Sequence, residues 1–166
     1  LGSLELTPVM EKIAEMSDRL PKLCPQFHMS LQSGCDSVLK RMKRRYTTDE
    51  YRRAAEMLRA ACPNCALTTD VLTGFPGETD EEARQTLAFV EEIGFARIHV
   101  FPYSRRAGTL ADKMPDQVPQ KIKHERAAEL IDLGNKLEEK YAKEMIGTVE
   151  DVLFETEEDG LCEGYT

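Results

Sequence analysis

The thirteen residues Leu67–Thr79, reading LTTDVLTGFPGET, restrict the fold more than any other stretch of this chain. Their first half is β-branched and apolar, which predicts a buried strand. The strand breaks at Gly74, Pro76 and Gly77, the residues of a tight turn. Thr79-x-x-Glu82 follows, and that spacing is a capping box that starts a helix. A strand running through a glycine turn into a capped helix is half of a βαβ unit. Such units build parallel α/β sheets, in which ligands sit at the carboxyl ends of the strands. A glycine there lets a ligand approach backbone that a Cβ would shield. The same spacing also suits a turn that binds nothing.

The rest of the chain repeats this grammar. Leu1–Glu5 reads as the end of a strand, Thr7-Pro8 opens a short helix to about Met16, and Pro21 and Pro25 bracket a loop. From Phe27 to Gln32 apolar and polar residues alternate, with Phe27, Met29 and Leu31 on one face and His28, Ser30 and Gln32 on the other. Unpaired buried polar groups are costly, so that second face points at something wet or liganded and favours an open barrel mouth over a dry core. A helical stretch after Ser33-Gly34 carries Lys40, Arg41, Lys43, Arg44 and Arg45. Thr47-x-x-Glu50 is a second capping box, for a helix to about Ala61 with Tyr51, Ala55 and Leu58 on one face. The helix after Thr79 is expected to bury Ala83, Leu87 and Val90 and to stop at Gly94. Arg97–Tyr103 reads as the next strand, with His99 and Tyr103 on one parity and Ile98 and Val100 on the other, before a basic loop from Ser104 to Gly108.

Strand, helix, strand, helix, strand, helix implies parallel strands joined by right-handed crossovers. Three or four strands cannot close an eight-stranded barrel, so the α/β pattern describes half of one. Gln120–Ile146 then forms a helix with Leu130, Leu133, Leu137 and Tyr141 on its apolar stripe. Unbroken, it would be roughly 40 Å long, with Gly134 weakening its middle. Gly147 ends it, and Val149, Asp151 and Leu153 begin a second, β-rich module.

Composition adds limits. With 41% apolar and 31% charged residues the chain is globular in type, and no apolar run approaches the ~20 residues that cross a bilayer. No secretory signal opens it, and it reads as a piece of something larger that resides in the cytoplasm with no membrane partner. The net charge of −8 argues against nucleic acid, yet residues 1–60 hold 11 Lys/Arg against 8 Asp/Glu. The basic run suits phosphate, a carboxylate, or simply a solvated face. Cys62-Pro-Asn-Cys65 has dithiol or zinc half-site spacing, but no second pair completes a zinc site and the pair follows a helix end instead of starting one. It reads as incidental. Cys24, Cys35 and Cys162, and the three histidines His28, His99 and His124, form no metal-ligand pattern.

In combination these motifs resemble the radical S-adenosylmethionine methylthiotransferases. The resemblance rests on GSLE at 2–5, HMSLQSG at 28–34, RRYT at 44–47, TDVLTGFPGET at 69–79, HVFPYS at 99–104 and Gly108-Thr109. HVFPYS and KMPDQV at 113–118 look most like the branch acting on N6-threonylcarbamoyladenosine beside the tRNA anticodon. The resemblance implies that a [4Fe-4S] cluster cleaves S-adenosylmethionine, that the resulting radical takes hydrogen from C2 of the adenine, and that a methylthio group is inserted there. It places Ser30 and Gln32 where a barrel strand meets the cofactor and Arg44 where a basic residue holds the cofactor carboxylate. Asp70, Val71 and Gly74 fall on the strand passing the adenine, and His99, Phe101 and Tyr103 on the strand beside it. The family's three-cysteine cluster motif is absent from the sequence. The chain alone is therefore expected to bind no cluster, to hold no catalytic residue of its own and to be inactive.

The expected organisation is the carboxyl half of a TIM-like radical S-adenosylmethionine barrel over residues 1–118, a connecting helix over 119–146, and the start of a small RNA-binding β-barrel over 147–166. Its implied partners are tRNA and S-adenosylmethionine. Sister enzymes acting on isopentenyladenosine tRNA or on a ribosomal-protein aspartate share most of these motifs. An unrelated parallel α/β enzyme with an anion site and a non-catalytic RNA-binding module also remain open.

Overall fold

The computed structural model describes residues 23–149 and 152–165. The expected strand end at Leu1–Glu5, the helix from Thr7 and the start of the loop at Pro21 lie outside the described residues, as does Asp151. The order is β1 (Gln26–His28), α1 (Asp36–Arg41), α2 (Thr48–Ala61), β2 (Ala66–Thr73), α3 (Asp80–Ile93), β3 (Arg97–Pro102), a 3-10 turn (Ala111–Lys113), α4 (Gln120–Glu144), β4 (Leu153–Glu158) and β5 (Leu161–Tyr165). Strands β1, β2 and β3 are neighbours in that order and parallel in both pairings, as the crossover pattern requires. With helices along one face, this is an open, partial TIM-like α/β sheet.

Both capping boxes form. The Thr47 hydroxyl accepts from Glu50 N and the Thr79 hydroxyl from Glu82 N, while each glutamate accepts from its cap's own N–H. Helix α3 ends at Gly94 in the left-handed region. Its buried residues are Thr86, Phe89, Val90 and Ile93, whereas Ala83 and Leu87 are only half-buried. The stripe is rotated toward Phe89 because that ring packs edge-on against Tyr51 of α2. The main core joins Phe27, Met29, Leu31, Leu67 and Val71 of the sheet to Tyr51, Ala55 and Leu58 of α2, Phe89 and Val90 of α3, and Leu130 and Leu137 of α4.

One sequence expectation gains a reason and another changes. Helix α4 runs unbroken for 25 residues through Gly134. A Cβ there would lie 2.6 Å from Ile98 Cγ1, so the glycine lets the helix backbone lie against β3. The strand expected over Phe27–Gln32 is regular only to His28. Gln26–His28 pairs with Ala66–Thr68 at a numbering offset of 40, but Gln32 pairs with Val71 at an offset of 39. One extra residue has entered the strand, which is a β-bulge. Met29 N donates to Thr68 O and Gln32 N to Asp70 O, so Ser30 and Leu31 together oppose Asp70 alone. Side chains satisfy the backbone groups this leaves over. Thr69 Oγ1 accepts from Leu31 N, Thr69 and Tyr51 hydroxyls donate to Met29 O, and the Tyr46 hydroxyl lies 2.9 Å from both Ser30 O and Leu31 O.

Strands β4 and β5 form an antiparallel hairpin around Asp159 and Gly160, both at positive φ. Two central residues at positive φ give the turn that matches strand twist. Val149 precedes this hairpin and is not part of it.

Candidate functional site

Because α2, α3 and α4 all join one core, the other face of the sheet carries none of them. Parity and register then decide which side chains share that bare face. Asp70 pairs with His99 and Leu72 with Phe101, and His28 pairs with Thr68. His28 bridges the strands, with Nε2 3.3 Å from Asp70 Oδ2 and Nδ1 3.0 Å from Thr68 Oγ1. Its ring centroid lies 6.2 Å from that of His99. His99 is exposed and Phe101 is 53% exposed, an unusual state for a phenylalanine on a parallel strand. Alternation placed His28 on the polar face, but only strand register shows that it meets Asp70.

Ser30 and Gln32 are half-buried at the bulge, and Gln32 takes a positive φ of 65°. Arg44 is exposed in the loop after α1. Tyr46, two residues later, pins that loop to the Ser30 and Leu31 carbonyls. The basic run does not form one helix face. Lys40 and Arg41 end α1, Lys43 is left-handed, and Arg44 and Arg45 lie in the loop. Arg41 is a structural cation: its guanidinium grips both Glu82 oxygens at 2.9 and 2.6 Å. That contact holds the Glu82 carboxyl down at about 2.

Three further sequence candidates are placed differently. Val71 is fully buried in the helix-side core, so its side chain is kept from the bare face. The space in front of Gly74 is filled by Lys123, whose Cγ would lie 2.3 Å from an added Cβ. Here the glycine admits a side chain of the chain itself. Gly74 N donates to Glu78 Oε2 at 2.7 Å. Tyr103 is buried, edge-on to Phe75 at 5.5 Å, with Lys123 Nζ bonded to its carbonyl at 2.9 Å.

The residues that fix the carboxyl edge were not singled out from the sequence. Glu78 is buried, accepting from Gly74 N and from Arg126 Nη1 at 2.7 Å, and Arg126 Nη2 reaches Asp80 at 2.7 Å. Burial pushes the Glu78 carboxyl above its ordinary range, against the lowering influence of the Gly74 N–H and Arg126. Burial likewise lowers Lys123. Lys123 and Arg126 are one helical turn apart on α4, so a single turn clamps the loops after β2 and β3. The i, i+3 spacing after Pro119 was the available signal.

The described cysteines do not fit an iron–sulfur cluster. Cys24 and Cys62–Cys65 precede β1 and β2 at the amino edge, Cys35 follows β1 at the carboxyl edge, and Cys162 is on the hairpin. Among the described residues no three His, Cys, Asp or Glu are grouped to hold a metal ion. The bare face does fit an adenine-bearing amino-acid cofactor, with an exposed ring at Phe101 and polar side chains at Ser30, Asp70 and His99.

Comparison with known proteins agrees with this geometry. The family model for the radical SAM superfamily matches residues 3–90. The threonylcarbamoyladenosine tRNA methylthiotransferase MtaB of Bacillus subtilis is 40% identical over 171 residues, spanning 100% of this chain and 38% of that protein. The tRNA-2-methylthio-N(6)-dimethylallyladenosine synthase of a Thermoanaerobacter species is 43% identical, spanning 87% of this chain and 31% of that protein. This chain thus spans about a third of the length of such relatives. Among solved structures, coproporphyrinogen III oxidase (HemN) of Escherichia coli superposes with a TM-score of 0.65 at 17% identity, over 81% of this chain and 31% of that one, a likeness of fold.

Proposed function

The chain belongs to the radical SAM superfamily, and on that premise we propose that it is the carboxyl part of the catalytic barrel of a tRNA methylthiotransferase. The modified position is C2 of N6-threonylcarbamoyladenosine next to the anticodon. Residues 1–118 supply the half-barrel, 119–146 the connecting helix and 147–166 the start of an RNA-binding β-module. The observation that carries the reading is the bare polar face of a parallel sheet whose other face is packed by helices.

Bound beside a reduced iron–sulfur cluster, S-adenosylmethionine would supply the one-electron chemistry that activates C2. This chain's residues would bind and orient it. Ser30 and Gln32 would meet it at the bulge, the Arg44 guanidinium would hold its carboxylate, and Asp70, His99 and Phe101 would line its adenine. Val71, Gly74 and Tyr103 shape the site from behind. The cluster itself requires ligands from elsewhere in the longer protein, so the isolated chain, reconstituted anaerobically, should take up far fewer than the about four irons of a cubane cluster.

The test is nucleoside mass spectrometry of tRNA from cells with and without the full-length protein. Loss and restoration of the methylthio group on N6-threonylcarbamoyladenosine supports the reading. Change only on the dimethylallyl nucleoside, or on a ribosomal-protein aspartate, reassigns the substrate, and no change in any of them refutes it.

A further inference from the structure

The net charge of −8 conceals a local reversal at the carboxyl edge of the sheet. A small apolar cluster sits there, formed by Cys35, Val38, Phe75 and Tyr103 with Met42, Leu72, Ala111 and Met114 against it. It draws together two segments far apart in sequence, α1 with its following loop and the turn after β3. Residues 36–46 and 103–114 carry eight lysines and arginines against two acids, Asp36 and Asp112. Both acids are engaged: Asp36 accepts from Thr48 N and Asp112 from Arg105 Nε. Arg41 is committed to Glu82. Lys40, Lys43, Arg44, Arg45, Arg106 and Lys113 are all exposed, and among the described residues none makes an ion pair. Phe101 is exposed beside this rim, since its register partner Leu72 packs into the cluster.

The hairpin is the reverse. Residues 152–165 hold Glu155, Glu157, Glu158, Asp159 and Glu163 and no lysine or arginine. The excess of positive charge that attracts a polyanion is thus at the rim.

We infer that the rim formed by Lys43, Arg45, Arg106 and Lys113 is a docking surface for the phosphodiester backbone of RNA. The inference rests on the function proposed above and deepens it. Unpaired exposed cations around a site mouth neutralise phosphates and release counterions, whatever the base sequence. An exposed aromatic beside them offers a stacking surface to an unpaired base. An RNA loop presents both groups at once, a backbone bent around splayed bases, which an acidic protein segment does not.

The experiment uses the full-length protein, an unmodified tRNA transcript and its anticodon stem-loop. Binding is measured across a salt series for wild type, for a rim variant (Lys43→Gln, Arg45→Gln, Arg106→Gln, Lys113→Gln), and for a control variant on α4 (Lys136→Gln, Lys140→Gln). Circular dichroism melts confirm that each is folded. The rim variant should show a slope of log K against log salt shallower by about 0.7–0.9 for each phosphate no longer neutralised, with weaker binding of both RNAs. The control should match wild type. A rim variant that binds like wild type, an equal loss in the control, or competition by polyglutamate as strong as by RNA overturns the inference. Methylthiolation of cellular tRNA by wild type, measured in parallel, separates that outcome from failure of the proposed function: active wild type with an indifferent rim sinks only the rim.

Discussion

Removing Arg126 should destabilise the protein through a group it leaves behind. Glu78 and Arg126 meet at 2.7 Å with side chains only 3% and 11% exposed. Arg126→Met leaves a buried carboxylate with Gly74 N as its remaining donor, and stranding one partner of a buried pair costs ~3–5 kcal/mol. Glu78→Gln is milder, because Arg126 keeps Asp80 at 2.7 Å; losing a charged hydrogen bond there costs ~1.5–3 kcal/mol. The double variant should cost less than the sum of the two. The pH dependence identifies the cause. Burial already raises the Glu78 carboxyl in the folded state, so its protonation favours folding, and that contribution fades as pH rises above 4.5 through the folded value. Without Arg126 the folded value moves higher still. Arg126→Met should therefore be most damaging near pH 7 and recover toward pH 5, whereas in Glu78→Gln this dependence should be gone. Thermal melts of the full-length variants at both pH values decide it. Equal loss at both, or strict additivity, would show that Arg126 acts by packing alone.

Arg44→Ala should weaken S-adenosylmethionine binding by ~1.5–3 kcal/mol, the worth of a hydrogen bond to a charged group, with Arg44→Lys recovering only part; calorimetric titration that finds all three equal refutes its role. Gly134→Ala sets a helix-propensity gain of ~1 kcal/mol against overpacking of ~1–3 kcal/mol on Ile98. The melt should fall, and adding Ile98→Ala should reverse the sign of the Gly134→Ala effect. Glu82 is held at about 2 against an ordinary 4.5, so its contribution is complete above 4.5 and lost as pH falls toward 2. Glu82→Gln should flatten the melt-against-pH curve across that acid window. Thr79→Ala should cost ~1 kcal/mol by losing the cap of α3, read from the same melts.

What the sequence could announce was what depends on near neighbours in the chain. Thr47 with Glu50, Thr79 with Glu82, Gly94 at a helix end and the alternation through Leu31 are all read within four residues, and all form. What fills the space beside Gly74 and Gly134 could not be read locally, because Lys123 and Ile98 are distant in sequence. Arg41 looked like its basic neighbours until α3 brought Glu82 against it. His28 showed its face but not its partner, since Asp70 lies 42 residues on. Local chemistry is written in the string, whereas pairing across strands and helices is decided by packing.

The bulge after His28 has a meaning in the language of insertions and deletions. Between Met29 and Gln32 the first strand holds one residue more than β2 requires, and the hydroxyls of Tyr46, Tyr51 and Thr69 tend the surplus. Elsewhere in the sheet, dropping a residue would slide every later side chain to the wrong face. Here a one-residue deletion would restore a single offset along β1 and leave the pairing of Gln32 with Val71 intact. The strand that brings Ser30 and Gln32 to the site is thus the one described place in this sheet where chain length is negotiable and register is not.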